Sequence, residues 1–332
     1  MQRSLLNPQR RLETLHNQDA NLYDSPCTPR SCAFSGSRSG TPVLRFKLDR
    51  TAKPFTNYQK KTKLCYTLWK GVYATMRNLS KKERLLECVR GCHEDTMEIL
   101  QMDVTDQLSI QAAKQRIKEK KVDILVCNAG AGLMGPVETQ SYETMKQIFD
   151  VNLFGTICTI QAFLPEMKAR KSGRIIITGS VGGLQGIPFN DVYCASKFAV
   201  EGFCESLAIL LQHFNIHISL IECGPVNTNF MTNLQRTDPE DPSLQHVDPE
   251  TVQLYQKYLQ HCERVFEEAA QDTEEIVQVF MDAIGAQFPS FRYYTNTTFL
   301  PLTKLKLTVE DGNQYIKAMN KFVFSTHKTG DF

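Results

Sequence analysis

The sequence has a single tryptophan in 332 residues and no uninterrupted apolar run approaching the ~18 residues that cross a bilayer. A membrane-spanning helix is therefore not expected. The N-terminus lacks the apolar core of a secretory signal, so a cytoplasmic location is expected. Eleven cysteines fall into no disulfide framework. Cys88 and Cys92 are four apart, but no second close pair or nearby histidine completes a zinc site, so no metal is expected. Cys127, Cys158, Cys194, Cys204 and Cys223 lie in apolar surroundings and read as reduced core thiols. Charge of one sign is also missing. With 38 Lys and Arg against 36 Asp and Glu, the formal charge of +2 implies no global attraction to nucleic acid.

That balance conceals a division. Residues 1–70 carry thirteen Lys and Arg against four Asp and Glu, a net +9. Residues 71–332 carry twenty-five against thirty-two, a net −7. Residues 1–60 are rich in Ser, Arg, Asn, Thr and Pro and hold no lasting period. Such a composition reads as a solvated, disordered extension, with a transit peptide as the alternative.

From Gly71 the pattern becomes regular. Val72–Met76, Thr96–Met102, Asp123–Cys127, Gly173–Gly179 and Ile216–Glu222 read as strands, and Phe291–Thr295 as a last one. Between them lie helical patterns at Ser80–Arg90, from Thr105 or Asp106 to about Lys120, at Ser141–Arg170, and at Asp191–Phe214. The third is interrupted near Asn152 or Gly155. Alternation at this spacing predicts parallel βαβ units: an α/β, doubly wound, mostly parallel sheet. The domain spans 71–325, with a helical, substrate-binding part at about 229–290.

The chemistry concentrates between Ser180 and Lys197. Ser180 follows a buried strand, and Tyr193 and Lys197, four apart, share a helix face. A phenol titrates near ~10, and bringing it to ~7 takes roughly 4 kcal/mol. One ammonium about 4 Å away supplies roughly that much at an effective dielectric of ~20. A Tyr–Lys pair at this spacing is common on ordinary helices; the serine at a strand end, reached through Gly182 and Gly183, gives it direction. Asn152 is a poor helix former inside a helical run, which marks a kink, a satisfied core amide or a site. Arg77 follows the second-strand position of a dinucleotide fold, where an acid suits NAD and an arginine suits the 2′-phosphate of NADP; otherwise it is a surface arginine.

Ser180 with YCASK (Tyr193–Lys197) resembles the signature of the short-chain dehydrogenases/reductases. CNAGAGLMGP (Cys127–Pro136), TGSVGGLQGIPFNDVYCASKF (Thr178–Phe198) and SLIECGPVNT (Ser219–Thr228) resemble in particular the type 1 17-beta-hydroxysteroid dehydrogenases, with photoreceptor-type retinol dehydrogenases as near relatives. The resemblance implies a Rossmann-type fold, a homodimer, and an NADP(H)-dependent interconversion of a steroid 17-ketone and 17-beta-alcohol. A retinoid substrate is the alternative. It implies that Ser180 orients the carbonyl, Tyr193 transfers the proton, Lys197 lowers the phenol's pKa and binds the ribose, and Asn152 maintains a proton relay through water. It implies cofactor contacts at Arg77, Asp103, Val104, Asn128, Ala129, Gly130, Val226 and Thr228. Ser180, Val181, Ile187, Tyr193 and Pro225 would meet the substrate, on loops with Leu133 and Met134.

The sequence departs from this family at one place. No apolar strand, glycine-rich turn and helix can be read before Val72. Gly36 and Gly40 follow no strand, and Lys63–Trp69 brings no glycine turn. The first βα unit is atypical or missing, which would leave a catalytically silent, dimerising domain as the reading of another class.

Overall fold

The computed structural model describes residues 71–89, 97–227 and 234–325, all within the compact unit Pro54–Phe332. Residues 1–70, Cys92 and Thr228 lie outside the described residues. The chain runs through β1 (Val72–Met76), α1 (Lys82–Val89), β2 (Met97–Gln101), α2 (Gln107–Arg116), β3 (Ile124–Cys127), β4 (Leu133–Met134) and α3 (Tyr142–Phe149). A π-helical turn, Asp150–Phe154, leads into α4 (Gly155–Arg170), followed by β5 (Gly173–Thr178), the short α5 (Val181–Leu184), α6 (Asp191–Leu211) and β6 (Ile216–Glu222). The remainder is β7 (Gln235–Arg236), α7 (Pro249–Ala269), α8 (Thr273–Gly285), β8 (Arg292–Tyr294), α9 (Leu300–Thr308) and α10 (Asn313–Phe324).

Among the described residues, every strand pair is parallel. The larger sheet has the order β3-β5-β6-β8, and β1 pairs with β2. Its central strand shows why the sequence there is unbroken isoleucine. Ile175 and Ile177 pack with Ile160, Phe163, Val200 and Cys204 of α4 and α6. Ile176 faces the other way, onto Ile221 and Ala283 of β6 and α8. Successive side chains of a strand point to opposite faces, and both faces here carry helices, so all three isoleucines are 1% exposed or less. The doubly wound expectation holds. Arg174 locks α8 onto the sheet by donating to the carbonyls of Ala283 (3.0 Å), Ile284 (2.7 Å) and Ala286, groups that a helix end leaves without partners.

Among the described residues, no ladder joins β1 to β3. Val126, in a strand that should lie inside a doubly wound sheet, is 43% exposed. The resemblance implies a strand between these two edges, and that is the unit that cannot be read in the sequence before Val72.

Three expectations are corrected. The helix after Asp106 ends at Arg116, where Ile117 turns extended, rather than near Lys120. Leu133 and Met134 form a buried two-residue strand against Gln235 and Arg236, so the loop placement fails. Cys158 and Cys223 are half-buried, whereas Cys127, Cys194 and Cys204 are fully buried thiols. The helical run Tyr142–Arg170 is long and apolar enough to cross a membrane by length and composition; its Ile148, Ile160, Phe163 and Met167 are buried in the protein. A second core lies over the carboxyl ends of the strands, built from Tyr255, Tyr258, Leu302, Tyr315 and Met319. Its helices α9 and α10 were not legible in sequence, although Pro301 in the first turn of α9 is a start signal.

Candidate active site

β5 delivers its last residues to the carboxyl edge of the sheet, where Gly179 makes a close approach. A Cβ there would stand 2.6 Å from Glu222 Oε2. Ser180, next in the chain, is 8% exposed and caps α5, its hydroxyl accepting from the Gly182 N–H at 3.1 Å. Its own N–H donates to Glu222 Oε2 at 3.2 Å. Phe189, at φ 58, turns the chain into α6, whose first two turns carry Tyr193 and Lys197.

The Tyr193 phenol is hydrogen-bonded to the Ser180 side chain. Burial pushes that phenol well above its ordinary range, and the serine contact only partly offsets this. Lys197 is 7% exposed; its Nζ donates to the Thr178 carbonyl at 2.9 Å and lies 6.0 Å from the Tyr193 ring centroid. Burial lowers its ammonium's pKa, while Cys223, Glu222 and Glu201 work the other way. The ammonium lies 6.0 Å from the phenol's ring centroid rather than about 4 Å from its oxygen as the spacing argument assumes. Lys197 gives one of its three N–H donors to Thr178, and burial is the largest influence on the tyrosine. The phenol therefore rests protonated.

Asn152 sits within the π-helical turn, the kind of local bulge that re-aims a side chain. It is 2% exposed and fully used. Its Oδ1 accepts from Ala131 N–H at 2.8 Å, and its Nδ2 donates to Ala131 O and to Ser196 Oγ, both at 2.9 Å. Ser196 in turn donates to the Tyr193 carbonyl at 2.7 Å. Sequence reasoning missed Ser196; its place three residues after Tyr193, beside Lys197, was the available signal.

Asn128, Ala129 and Gly130 lie exposed past the end of β3, with Asn128 accepting from Thr178 Oγ1 at 2.7 Å. A Cβ on Gly130 would stand 3.7 Å from Asn152 Oδ1 and 3.9 Å from Lys197 Nζ. This is a shallow backbone cradle directly over the two polar groups. Val181 opens α5, and its N–H donates to Cys223 O at 3.0 Å. Pro225 and Val226 are held against Gln271: its N–H donates to Pro225 O at 3.0 Å, and it accepts from the Asn227 N–H at 3.0 Å. Ile187 packs on the C-terminal core with Phe189 and Tyr255.

Arg77, Asp103 and Val104 lie on the other sheet. Arg77 is exposed just past β1, and its carbonyl accepts from Gln101 at 3.2 Å. Burial would raise the Asp103 carboxyl, but hydrogen bonds from Thr105 and the charge of Arg77 hold it below the ordinary range. Val104 packs against Gly155, whose absent Cβ would stand 2.7 Å from Val104 Cγ2. A cleft of about 660 Å³ opens beyond the Pro225 loop, lined by Val265, Gln271, Thr297, Phe299 and Phe322. His261 is buried beside it, edge-on to Phe322 at 4.9 Å. Among the described residues, no three His, Cys, Asp or Glu converge at metal-binding distance.

A parallel doubly wound sheet with a Ser, Tyr, Lys and Asn set at its carboxyl edge is the frame of an oxidoreductase, and a family model for short chain dehydrogenases matches residues 63–239. The chain belongs to that family. It is 50% identical over 255 residues to 17-beta-hydroxysteroid dehydrogenase type 1 of Homo sapiens, covering 76% of this chain and 77% of that one. It is 39% identical over 299 residues to retinol dehydrogenase 8 of Homo sapiens, covering 89% and 91%. A short chain dehydrogenase/reductase of Burkholderia phymatum in complex with NAD has the same fold, with a TM-score of 0.62 at 20% identity over 77% of this chain and 89% of that one.

Proposed function

We propose that this chain interconverts a steroid 17-ketone and 17-beta-alcohol with NADP(H) as cofactor. The observation that carries the reading is the convergence of Ser180, Tyr193 and Lys197 on one buried edge, with Asn152 tying α6 to the Ala131 loop. The similarity to 17-beta-hydroxysteroid dehydrogenase type 1 supports the substrate class. The residues present fit a nicotinamide cofactor at two places. One is the Gly130 cradle over Asn152 and Lys197. The other is the end of β1, where Met76-Arg77-Asn78 offers a guanidinium and no carboxylate.

Arg77 would hold the 2′-phosphate, Asp103 and Val104 the adenine, Asn128 to Gly130 the dinucleotide's middle, and Lys197 the ribose. Val226 and Thr228 would orient the carboxamide. When bound, the reduced nicotinamide supplies a hydride. The Ser180 hydroxyl donates to the carbonyl oxygen and fixes its direction. Tyr193, resting protonated, delivers its proton to that oxygen as charge develops. Lys197 stabilises the phenolate left behind. Asn152 and Ser196 hold the backbone of α6 and the cradle in register. The reading includes a cytoplasmic homodimer and an apolar substrate seated against Val181, Ile187 and Pro225.

Two other readings each rest on an observation. The 39% identity to retinol dehydrogenase 8 spans more of the chain and favours retinal as the carbonyl. The unjoined edges of β1 and β3 among the described residues favour a domain that does not turn over. One experiment separates the three: NADPH fluorescence quenching by the purified full chain, followed by NADPH oxidation with estrone or with all-trans-retinal. Turnover of estrone is expected. Preference for retinal replaces the substrate, and absence of quenching overturns the enzyme reading.

A further inference from the structure

Next to Ser180 lies a second ionisable cluster that the proposed chemistry does not use. Glu222 ends β6 and is fully buried at 0% exposure; Glu201, one helical turn beyond Lys197 on α6, is 6% exposed. Their carboxyls lie within hydrogen-bonding reach of one another, and Glu222 Oε1 is buried with no other hydrogen-bond partner. Arg292 of β8 reaches both. It donates to Glu201 Oε2 from Nε at 3.2 Å and Nη2 at 2.8 Å, and its Nε stands 3.7 Å from Glu222 Oε1. Glu205, exposed at the rim, stands 3.4 Å from the same Nη2. The remaining ionisable groups near the cluster are Lys197, Cys204, Cys223 and Tyr193.

Two carboxylates this close inside a protein make ionising both costly, even with Arg292 and Lys197 nearby. A proton kept on Glu222, with Arg292 balancing the remaining charge, satisfies the cluster. Desolvation and the neighbouring Glu201 both drive Glu222 to keep that proton, pushing its carboxyl far above the usual range. The outer oxygen, Oε2, is then free to accept, and what it accepts is the N–H of Ser180. The packing is close on both sides. A Cβ on Gly179 would meet Glu222 Oε2 at 2.6 Å, and one on Gly183 would meet Glu201 Cγ at 3.2 Å. Gly179, just before Ser180, and Gly183, three residues after it, are thus fitted to this carboxyl pair.

We propose that Glu222 is a positioning residue: with Glu201 and Arg292 it forms a one-proton carboxyl clamp that fixes the backbone at Ser180 and so aims the serine hydroxyl at the substrate carbonyl. The proposal rests on the functional reading above for the role of Ser180. Its chemistry makes a sharp demand on variants. A glutamine at 222 reproduces a protonated glutamate, with one oxygen to accept from Ser180 and one N–H donor for Glu201. An alanine removes both.

The test uses the full chain with NADPH and the ketone that it reduces. Glu222→Gln is expected to keep kcat within about 3-fold, while Glu222→Ala loses kcat by ~10–100-fold, the scale of a small misplacement of a reacting group. The dissociation constant for NADPH should stay within about 2-fold in both, since the clamp lies next to the serine rather than beneath the cofactor. If glutamine and alanine cost the same, or if alanine costs nothing, the proposal is overturned. Infrared difference spectroscopy of wild type against Glu222→Gln, at neutral pH, gives a measurement that does not depend on the alanine variant folding. A protonated-carboxyl C=O band that shifts in D2O and vanishes in the glutamine variant is expected, and its absence overturns the proton kept on Glu222. Lack of turnover in the wild-type chain would sink the functional reading alone, because the infrared band still decides the clamp.

Discussion

The amide of Asn152 grips both backbone groups of Ala131, accepting from its N–H at 2.8 Å and donating to its carbonyl at 2.9 Å. The same amide reaches Ser196 on α6, so one residue holds the cradle loop and the candidate catalytic helix together. Asn152→Ala leaves buried backbone groups without partners, at a cost of about 1–3 kcal/mol. A drop in melting temperature together with weaker NADPH binding is expected. If calorimetry and cofactor titration both match wild type, Asn152 is not the tie described.

Tyr193→Phe should cut turnover by at least ~100-fold while leaving cofactor binding in place, because only the transferred proton is lost. The pH dependence follows from burial. The phenol's pKa is raised, so its protonated form persists up to and beyond the usual ~10. Ketone reduction, which needs the proton, should stay level from about pH 6 to about pH 9, and alcohol oxidation, which needs the phenolate, should climb over that range. Near-normal turnover in the phenylalanine variant would end the assignment.

Arg77→Ala should weaken NADPH more than NADH, since only NADPH carries the extra phosphate. One charge-assisted contact of this kind contributes about 1.5–3 kcal/mol, or roughly 10- to 150-fold in affinity. Parallel titration of the two cofactors decides it. Equal losses would show that the guanidinium has no phosphate to hold.

Gly155→Ala should destabilise the fold, because the added methyl would stand 2.7 Å from Val104 Cγ2 and 3.1 Å from the Asp150 carbonyl. Overpacking of this kind costs about 1–3 kcal/mol. Trimming the neighbour, in the double variant Gly155→Ala/Val104→Ala, should recover part of the loss. Thermal melts that show no recovery would place the strain at Asp150 instead.

A chimera in which residues 1–70 are replaced by a strand–TGxxxGxG–helix unit should bind NADPH at least ~10-fold more tightly, by adding the amide cradle that usually meets the pyrophosphate. The open edges of β1 and β3 among the described residues are what such a strand would pair. If the native chain already binds at micromolar affinity and the chimera does no better, the N-terminal deficit is not real.

Local pattern determined the longer strands and most of the helices, but not the short strands at Leu133–Met134 and Gln235–Arg236. Isoleucine runs with both faces covered, an Asp106 cap and a Tyr–Lys spacing of four are all short-range facts, and the doubly wound class follows from their alternation. The misfit of Asn152 in a helical run was also legible, and a π-helical turn occupies that position. Pairings across long sequence separation had no such signal. Glu222 and Glu201 are 21 residues apart and Arg292 another 70 beyond Glu222, so their meeting next to Ser180 is decided only when β6, β8 and α6 pack. The state of the tyrosine was likewise beyond a spacing argument. An i, i+4 pair fixes which face two side chains share, but only the packed interior decides that Lys197 turns to Thr178 and that burial is the largest influence on the phenol.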